Sequence, residues 1–405
     1  MRFALLRVMD ARDPTGQPGP VPRAERIGTM DALRGFALAG IFAVNIEWFS
    51  RPWQQLGQGF TPTTNALDHL LQWLVYLGAY GKFITLFALL FGMGFAVMAE
   101  RAAADDRGFL ARYLRRSAFL LLVGMAHAAL LWSGDILQVY AVASLGLLLA
   151  PRLSANAQLA LGIGGYLLLS LWYLMPWSAH AQASAEAAQA AANVYMQGDY
   201  LDVTRQRIAD YGFLLTRSRD LVLLALCLFL IGGWLVRSGR LRDVAGHRAF
   251  FVRLLAAGLV GGTALTFASL MPGGPSAAMW LQAALLLALA CVALFALLHA
   301  WRPQWAPLVW LAAVGRMALT NYLLQSAIAS TLFFGYGFGL WGRFGYSGQL
   351  LVVVLVFAAQ LLLSRWWLAR FRFGPVEWLW RWCTYGVRPR MRVVAPPLHL
   401  RHGAA

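Results

Sequence analysis

Along the chain, apolar stretches long enough to cross a bilayer alternate with short polar connectors. Membrane helices are expected at residues 32–49, 81–99, 117–132, 136–150, 157–176, 221–236, 254–271, 277–299, 308–334 and 349–368. The pattern predicts an all-α fold: a polytopic integral membrane protein of about ten transmembrane helices. The 136–150 window is short for a span. Residues 65–80 carry apolar positions at helical spacing together with Asp68 and His69, as an interfacial helix feeding the next span would. The one long polar insertion, 177–220, begins Ala-rich and turns mixed in charge. It predicts two short helices outside the membrane, serving either as a lid over a cavity mouth or as a solvated connector.

Within this pattern, LRRSAFLLLVGMAHAALLWSGDILQVYAVA places His127 and Asp135 among apolar residues. Ionisable groups there must face a partner, a wet cavity or the bundle interior. Gly134 and Asp135 interrupt the run, so one helix is expected to rise to Trp132, turn tightly, and continue as a second helix from Ile136. Eight helical residues span about 12 Å. His127 and Asp135 therefore meet only if the chain folds back at Ser133 and Gly134.

Composition agrees with the pattern. Of 405 residues, 60% are hydrophobic and 13% charged, far from a soluble domain. The net charge of +17 comes from arginines that punctuate apolar runs instead of forming one basic face, which argues against a nucleic-acid partner. With the N-terminus inside, most of the 34 Lys and Arg fall on the cytoplasmic side, leaving Arg51, Lys82, Arg205, Arg207, Arg217, Arg219 and Arg343 outside. That asymmetry predicts an N-in, C-in topology. Residues 1–28 read as a disordered cytoplasmic tail without a removable signal peptide, 29–372 as a single transmembrane domain, and 373–405 as a basic cytoplasmic tail rich in Trp and Arg. Cys227, Cys291 and Cys383 are too scattered for a disulfide framework or a thiolate metal site.

His127 is the one histidine well inside a span, since His299 lies at a helix end and His69, His180, His247, His399 and His402 fall in loops or tails. This excludes a bis-His haem built within the membrane from this chain alone. His127 is either a general base or a helix-packing histidine; Asp135 either holds the imidazole, binds the helix carrying Arg34, or caps the following helix. On the first span, Arg34 and Asn45 are eleven residues apart and share nearly one azimuth. Asp31 and Arg34 suit an interfacial ion pair, and a buried anion is an equal partner for Arg34. Lys82, the one lysine, opens the second span and suits snorkelling better than catalysis. In GRMALTNYLLQS, Arg316 with Thr320 and Asn321 with Gln325 form two polar stripes, as structural hydrogen bonds or as a cavity lining.

Five segments, MDALRGFALAGIFAVN, GKFITLFALLFGMGF, GMAHAALLWSGDILQVYA, GRMALTNYLLQS and FGPVEWLWR, resemble in order the motifs of the bacterial YeiB family, also catalogued as domain of unknown function 418. They run from Met30 to Arg381. One departure is Tyr80, where many relatives have an acidic residue. The family is distantly similar to the transmembrane acyltransferases, which include the acyltransferase-three proteins and the lysosomal heparan glucosaminide acetyltransferase. The opening DALRGFALAGIFAVN is similar to that group's first-helix signature and carries over Asp31 and Arg34. Where acyltransferase-three proteins have a histidine late in this helix, this chain has Asn45, which makes His127 the replacement candidate.

The resemblance implies a multi-pass protein of the bacterial cytoplasmic membrane that moves an acyl group from cytosolic acyl-CoA, as co-substrate, to a glycan or lipid acceptor. In that reading His127 is the base, Asp135 orients it, and Arg34 with Asn45 polarises the thioester. Lys82, Arg316, Asn321 and Gln325 are further candidates for substrate binding. No tightly bound cofactor or metal is expected, and membrane lipids are expected partners. A transporter or flippase using the same polar residues without chemistry is the competing expectation, with a noncatalytic scaffold third.

Overall fold

The computed structural model describes residues 28–102, 108–175, 183–216, 219–271 and 276–393. The expected N-terminal tail, apart from Gly28, lies outside them, as do His180, Arg217, His399 and His402. The described residues are mainly helical, joined by turns and by two longer connections at 50–65 and 334–345, with an isolated bridge between Phe371 and Arg392 as the one β feature among them.

In chain order the helices are α1 (Gly28–Asn45), α2 (Ala66–Gly78), α3 (Lys82–Ala102), α4 (Phe109–Leu130), α5 (Leu137–Gly146), α6 (Ala155–Trp172), α7 (Ala185–Gln197) and α8 (Tyr200–Leu215). They continue as α9 (Arg219–Arg237), α10 (Arg248–Ala268), α11 (Ser276–Trp301), α12 (Ala306–Arg316), α13 (Ala318–Phe333), α14 (Tyr346–Arg370) and α15 (Pro375–Tyr385). Side chains set several starts. Asn65 accepts from the amides of Leu67 and Asp68 to open α2, and Asp199 from those of Leu201 and Asp202 to open α8. Gly386, at φ +75°, closes α15 in the left-handed conformation that favours glycine.

Among the described residues, six helical stretches are long and apolar enough to cross a membrane: Gly28–Phe49, Ala66–Ala102, Asp220–Arg237, Arg248–Ala268, Ala277–Trp301 and Tyr346–Arg370. The pair α12 and α13, bent by 79°, makes a seventh if counted as one span. The chain is thus a multi-pass membrane protein by length and composition, with fewer such spans than the ten windows. The other three windows are helical. However, α4 opens with Arg112, Arg115 and Arg116, α5 is short, and α6 begins with Asn156 and Gln158.

Glycines set the closest crossings. A methyl on Gly92 of α3 would overlap the Phe229 carbonyl of α9, and one on Gly232 of α9 would overlap the Leu89 carbonyl of α3. Gly35 of α1 and Gly315 of α12 are matched against Leu311 and Asp31 in the same reciprocal way. In a bilayer, close backbone approach supplies the packing that water would otherwise drive. Gly92→Ala is expected to destabilise the fold by about 1–3 kcal/mol. It should appear as a lower unfolding midpoint in detergent, and an unchanged midpoint would mean that the crossing yields freely.

Side chains join the helices where lipid would leave polar groups unmet. Arg237 donates to the Ala150 carbonyl at 2.9 Å, the Leu153 carbonyl at 2.8 Å and Gln158 Oε1 at 2.6 Å. Tyr166 donates to the Leu281 carbonyl at 2.6 Å. At the α12–α13 break, Glu377 of α15 accepts from the amides of Leu319 and Thr320 at 2.7 and 2.9 Å and from the Thr320 hydroxyl. A carboxylate there meets the positive end of α13. Burial pushes the Glu377 carboxyl above the usual carboxylate range, against the Thr320 and Leu319 hydrogen bonds that lower it. The segment from residue 373 therefore opens with a helix docked on the bundle.

Candidate functional site

His127 stands in the last turn of α4, whose end is closed by the Leu131 and Trp132 amides donating to the His127 carbonyl. The chain turns through Ser133 and Gly134, and α5 then runs back along α4. This return brings Asp135 Oδ2 to 2.9 Å from His127 Nδ1, with both side chains at 0% exposure. Asp135 does a second job as well, because its Oδ1 accepts from the Gln138 amide at 3.1 Å and so caps α5. The approach to His127 lacks hydrogen-bond alignment, and Nε2 has no partner among the described residues.

Gly124, one turn before His127, makes the meeting possible, since a methyl there would collide with Asp135 Oδ1 and Gln138. Tyr322 of α13 closes the other side, its ring centroid 4.9 Å from that of His127. The Tyr322 hydroxyl approaches Asp135 and the Ile136 main chain without an aligned hydrogen bond among the described residues.

Above the pair lies an aromatic roof. Trp132 stacks on Phe49 at 4.7 Å and meets Trp53 at 5.4 Å, while Trp48 and Trp53 stack on each other at 4.7 Å. The insertion helices α7 and α8 fasten to this end. Arg207, at 0% exposure, donates to the Leu130 carbonyl at 2.8 Å and to the Tyr336 hydroxyl at 2.7 Å. Tyr200 donates to the same Leu130 carbonyl at 2.9 Å, and the Tyr211 hydroxyl donates to Gln138. Asp210 accepts from Gln54 at 2.8 Å and from Tyr195 at 2.7 Å. Burial raises the Asp210 carboxyl, and the Tyr195, Gln54 and Gln206 hydrogen bonds hold it down.

The remaining candidates are dispersed. Arg34 pairs with Asp31 at 2.9 Å near the start of α1, whereas Asn45 ends that helix next to the roof. Eleven residues of helix put about 16 Å of rise between them. Arg34 thus sits at the end of the bundle away from His127. Lys82 lies under the Trp280 ring at 3.6 Å and donates to the Tyr76 carbonyl at 3.3 Å. Arg316 reaches the Arg372 carbonyl at 3.4 Å. Asn321 donates to Ser364 at 3.0 Å, and Gln325 donates to Gln360 at 2.9 Å. These last two are helix-to-helix hydrogen bonds between α13 and α14. No group of His, Cys, Asp and Glu able to hold a metal occurs among the described residues.

Residues 235–387 match a family described as "Protein of unknown function (DUF418)". The chain is 34% identical over 390 residues to the uncharacterized protein YxaH of Bacillus subtilis, covering 90% of this chain and 96% of that one. It is 32% identical over 384 residues to the uncharacterized protein YeiB of Escherichia coli, covering 89% and 96%. No solved structure matches the chain at a significant level. With the matched region taking in the α13–α15 junction and the relatives spanning both ends of the bundle, the chain belongs to the YeiB (DUF418) family.

Proposed function

We propose that this protein is a membrane-embedded acyltransferase that moves an acyl group from cytosolic acyl-CoA to a hydroxyl or amine of a lipid or glycan. The observation that carries the reading is the wholly buried His127–Asp135 pair, with Nε2 left free under the insertion. Asp135 favours a proton on Nδ1 and so leaves the Nε2 lone pair to act as base. Nε2 takes the acceptor proton as the acceptor oxygen or nitrogen bonds to the acyl carbon. The tetrahedral adduct collapses, the carbon–sulfur bond breaks, and the thiolate of CoA recovers that proton from the imidazolium. In this scheme Asn45, which ends α1 next to the roof, polarises the carbonyl, and the insertion serves as a lid whose contacts open to admit the acceptor. Arg34, about 16 Å of helix rise from Asn45, does not serve the carbonyl at His127.

The same reading places the chain in a bacterial cytoplasmic membrane, N-in and C-in, with α4, α5 and α6 bringing the spans to ten. The basic residues of the connectors support that orientation, and the packing of α5 and α6 along the long helix α9 supports counting them as spans. The insertion then faces outward and residues 373–405 face the cytosol.

The 79° break between α12 and α13 favours a second reading, transport of a lipid or small solute, because broken helices mark many transporter sites. Here the freed end of α13 is already occupied by Glu377. Purified protein in nanodiscs, incubated with acyl-CoA labelled in the acyl group, separates the two readings. Cleavage of the thioester with transfer of label supports the enzyme. Intact CoA with solute movement across proteoliposomes supports the transporter.

A further inference from the structure

At the opposite end of the bundle from His127, guanidinium groups of α1 and α4 lie over one face of α3, and a third, on α15, is within electrostatic reach of the one on α4. Arg34 of α1 reaches Gly94 of α3, where a side chain would crowd its Nη2 at 3.3 Å. Arg116 of α4 lies one turn further along α3, 3.5 Å from Met98 Sδ and 5.2 Å from the Phe91 ring. Its guanidinium also lies 4.8 Å from the ring of Trp380, whose indole N–H donates to the Arg116 carbonyl at 3.2 Å. Arg381, the next residue on α15, sits 4.7 Å over Phe373. All three are half-buried, and Arg116 lies within electrostatic reach of both others.

The negative charge nearby is already committed. Asp31 is paired with Arg34, and both oxygens of Glu377 are spent on the start of α13. Neither Arg116 nor Arg381 has a carboxylate within ion-pair distance among the described residues. Burial lowers the Arg381 guanidinium from its usual value and Arg116 adds to this by repulsion, while Tyr385 and, beyond ion-pair distance, Glu377 and Asp31 oppose it. Positive-inside topology accounts for arginines exposed to water, such as Arg248 and Arg253. It gives no reason to desolvate like charges against aromatic rings, which is costly without a counter-ion.

We propose that Arg34, Arg116 and Arg381 form a binding site for a phosphate-bearing anion at the junction of α1, α3, α4 and α15. Guanidinium forks match phosphate oxygens in pairs, and aromatic faces hold the forks in place without neutralising them. The phosphate belongs either to a soluble ligand, as in the diphosphate of CoA, or to a lipid headgroup. The inference stands apart from the His127 reading, because the site needs no reaction to be occupied.

The test uses the full chain in phosphatidylcholine nanodiscs, titrated with pyrophosphate and with CoA. In parallel, native mass spectrometry follows protein purified from membranes containing phosphatidylglycerol. Saturable pyrophosphate and CoA binding, weakened at least about tenfold by Arg116→Gln and by Arg381→Gln, establishes the soluble source. Retained phosphatidylglycerol that both variants lose, with no binding of pyrophosphate, establishes the lipid source. Arg253→Gln, on the exposed face of α10, should match the unaltered protein in either case. Should the Gln variants aggregate, Arg116→Lys and Arg381→Lys keep the charge and lose the fork, and intermediate affinity is expected. Absence of both ligands from the unaltered protein, or equal binding in every variant, overturns the site.

Discussion

His127→Ala is expected to lower the turnover of acyl transfer by about 10² to 10⁴ while leaving membrane insertion intact; the unfolding midpoint should fall as well, because buried Asp135 loses its partner. The size follows from losing a positioned base. The outer nitrogen carries no structural hydrogen bond among the described residues, so the stability cost of removing the ring comes from its packing against Tyr322 and from the buried Asp135 carboxylate it leaves behind, and turnover is therefore compared per folded protein. Asp135→Asn should also lower turnover, because an amide can present its N–H to Nδ1 and so shift the proton to Nε2. It should leave α5 in place, since the side-chain oxygen can still accept from the Gln138 amide. The check is steady-state release of CoA by both variants in one membrane. Unchanged turnover in His127→Ala would remove this residue from the chemistry.

Arg207→Ala is expected to loosen the insertion. A cation at 0% exposure holds the end of α4 through Leu130 and the segment after α13 through Tyr336. Losing two hydrogen bonds from a charged donor costs about 3 kcal/mol, which is about a hundredfold in a local opening equilibrium. Amide hydrogen exchange should quicken by that factor in α7, α8 and the turn at residues 131–136, with α3 and α9 unaffected. Arg207→Lys should fall between, because it keeps a charge and loses the fork. Equal exchange in all three proteins would show that the insertion is held by its apolar contacts, among them Val203 and Tyr195, and not by this arginine.

The hairpin that makes the site was legible because its signals are local. Gly134 and Asp135 interrupt an apolar run, and a fold-back there is the single arrangement that joins His127 to Asp135. The all-helical character follows from hydropathy alone. What the pattern could not carry was level along the bundle. Arg34 and Asn45 share an azimuth, yet α1 is long enough to put them at opposite ends, next to Arg116 and to the roof respectively. Asn321 and Gln325 look alike whether they line a cavity or join helices, and only the position of Gln360 and Ser364 decides it.

Other residues left signals that pass for something else. Arg207 sits in a mixed-charge stretch that looks solvated, although Val203, Arg207 and Asp210 recur at helical spacing and are the buried face of α8. Glu377 is the one carboxylate between residues 373 and 393, a hint that it has a dedicated partner. Gly124 precedes His127 by one turn, and the need for its missing side chain shows only when Asp135 returns beside it.

The central claim is that His127 and Asp135 act as one chemical unit, and a double-mutant cycle on acyl-transfer turnover tests it most directly. If the claim holds, His127→Ala combined with Asp135→Asn is no slower than His127→Ala alone, because a carboxylate with no imidazole to orient has nothing left to lose. If the two losses multiply instead, each residue works independently, and the buried pair is a packing feature of the hairpin.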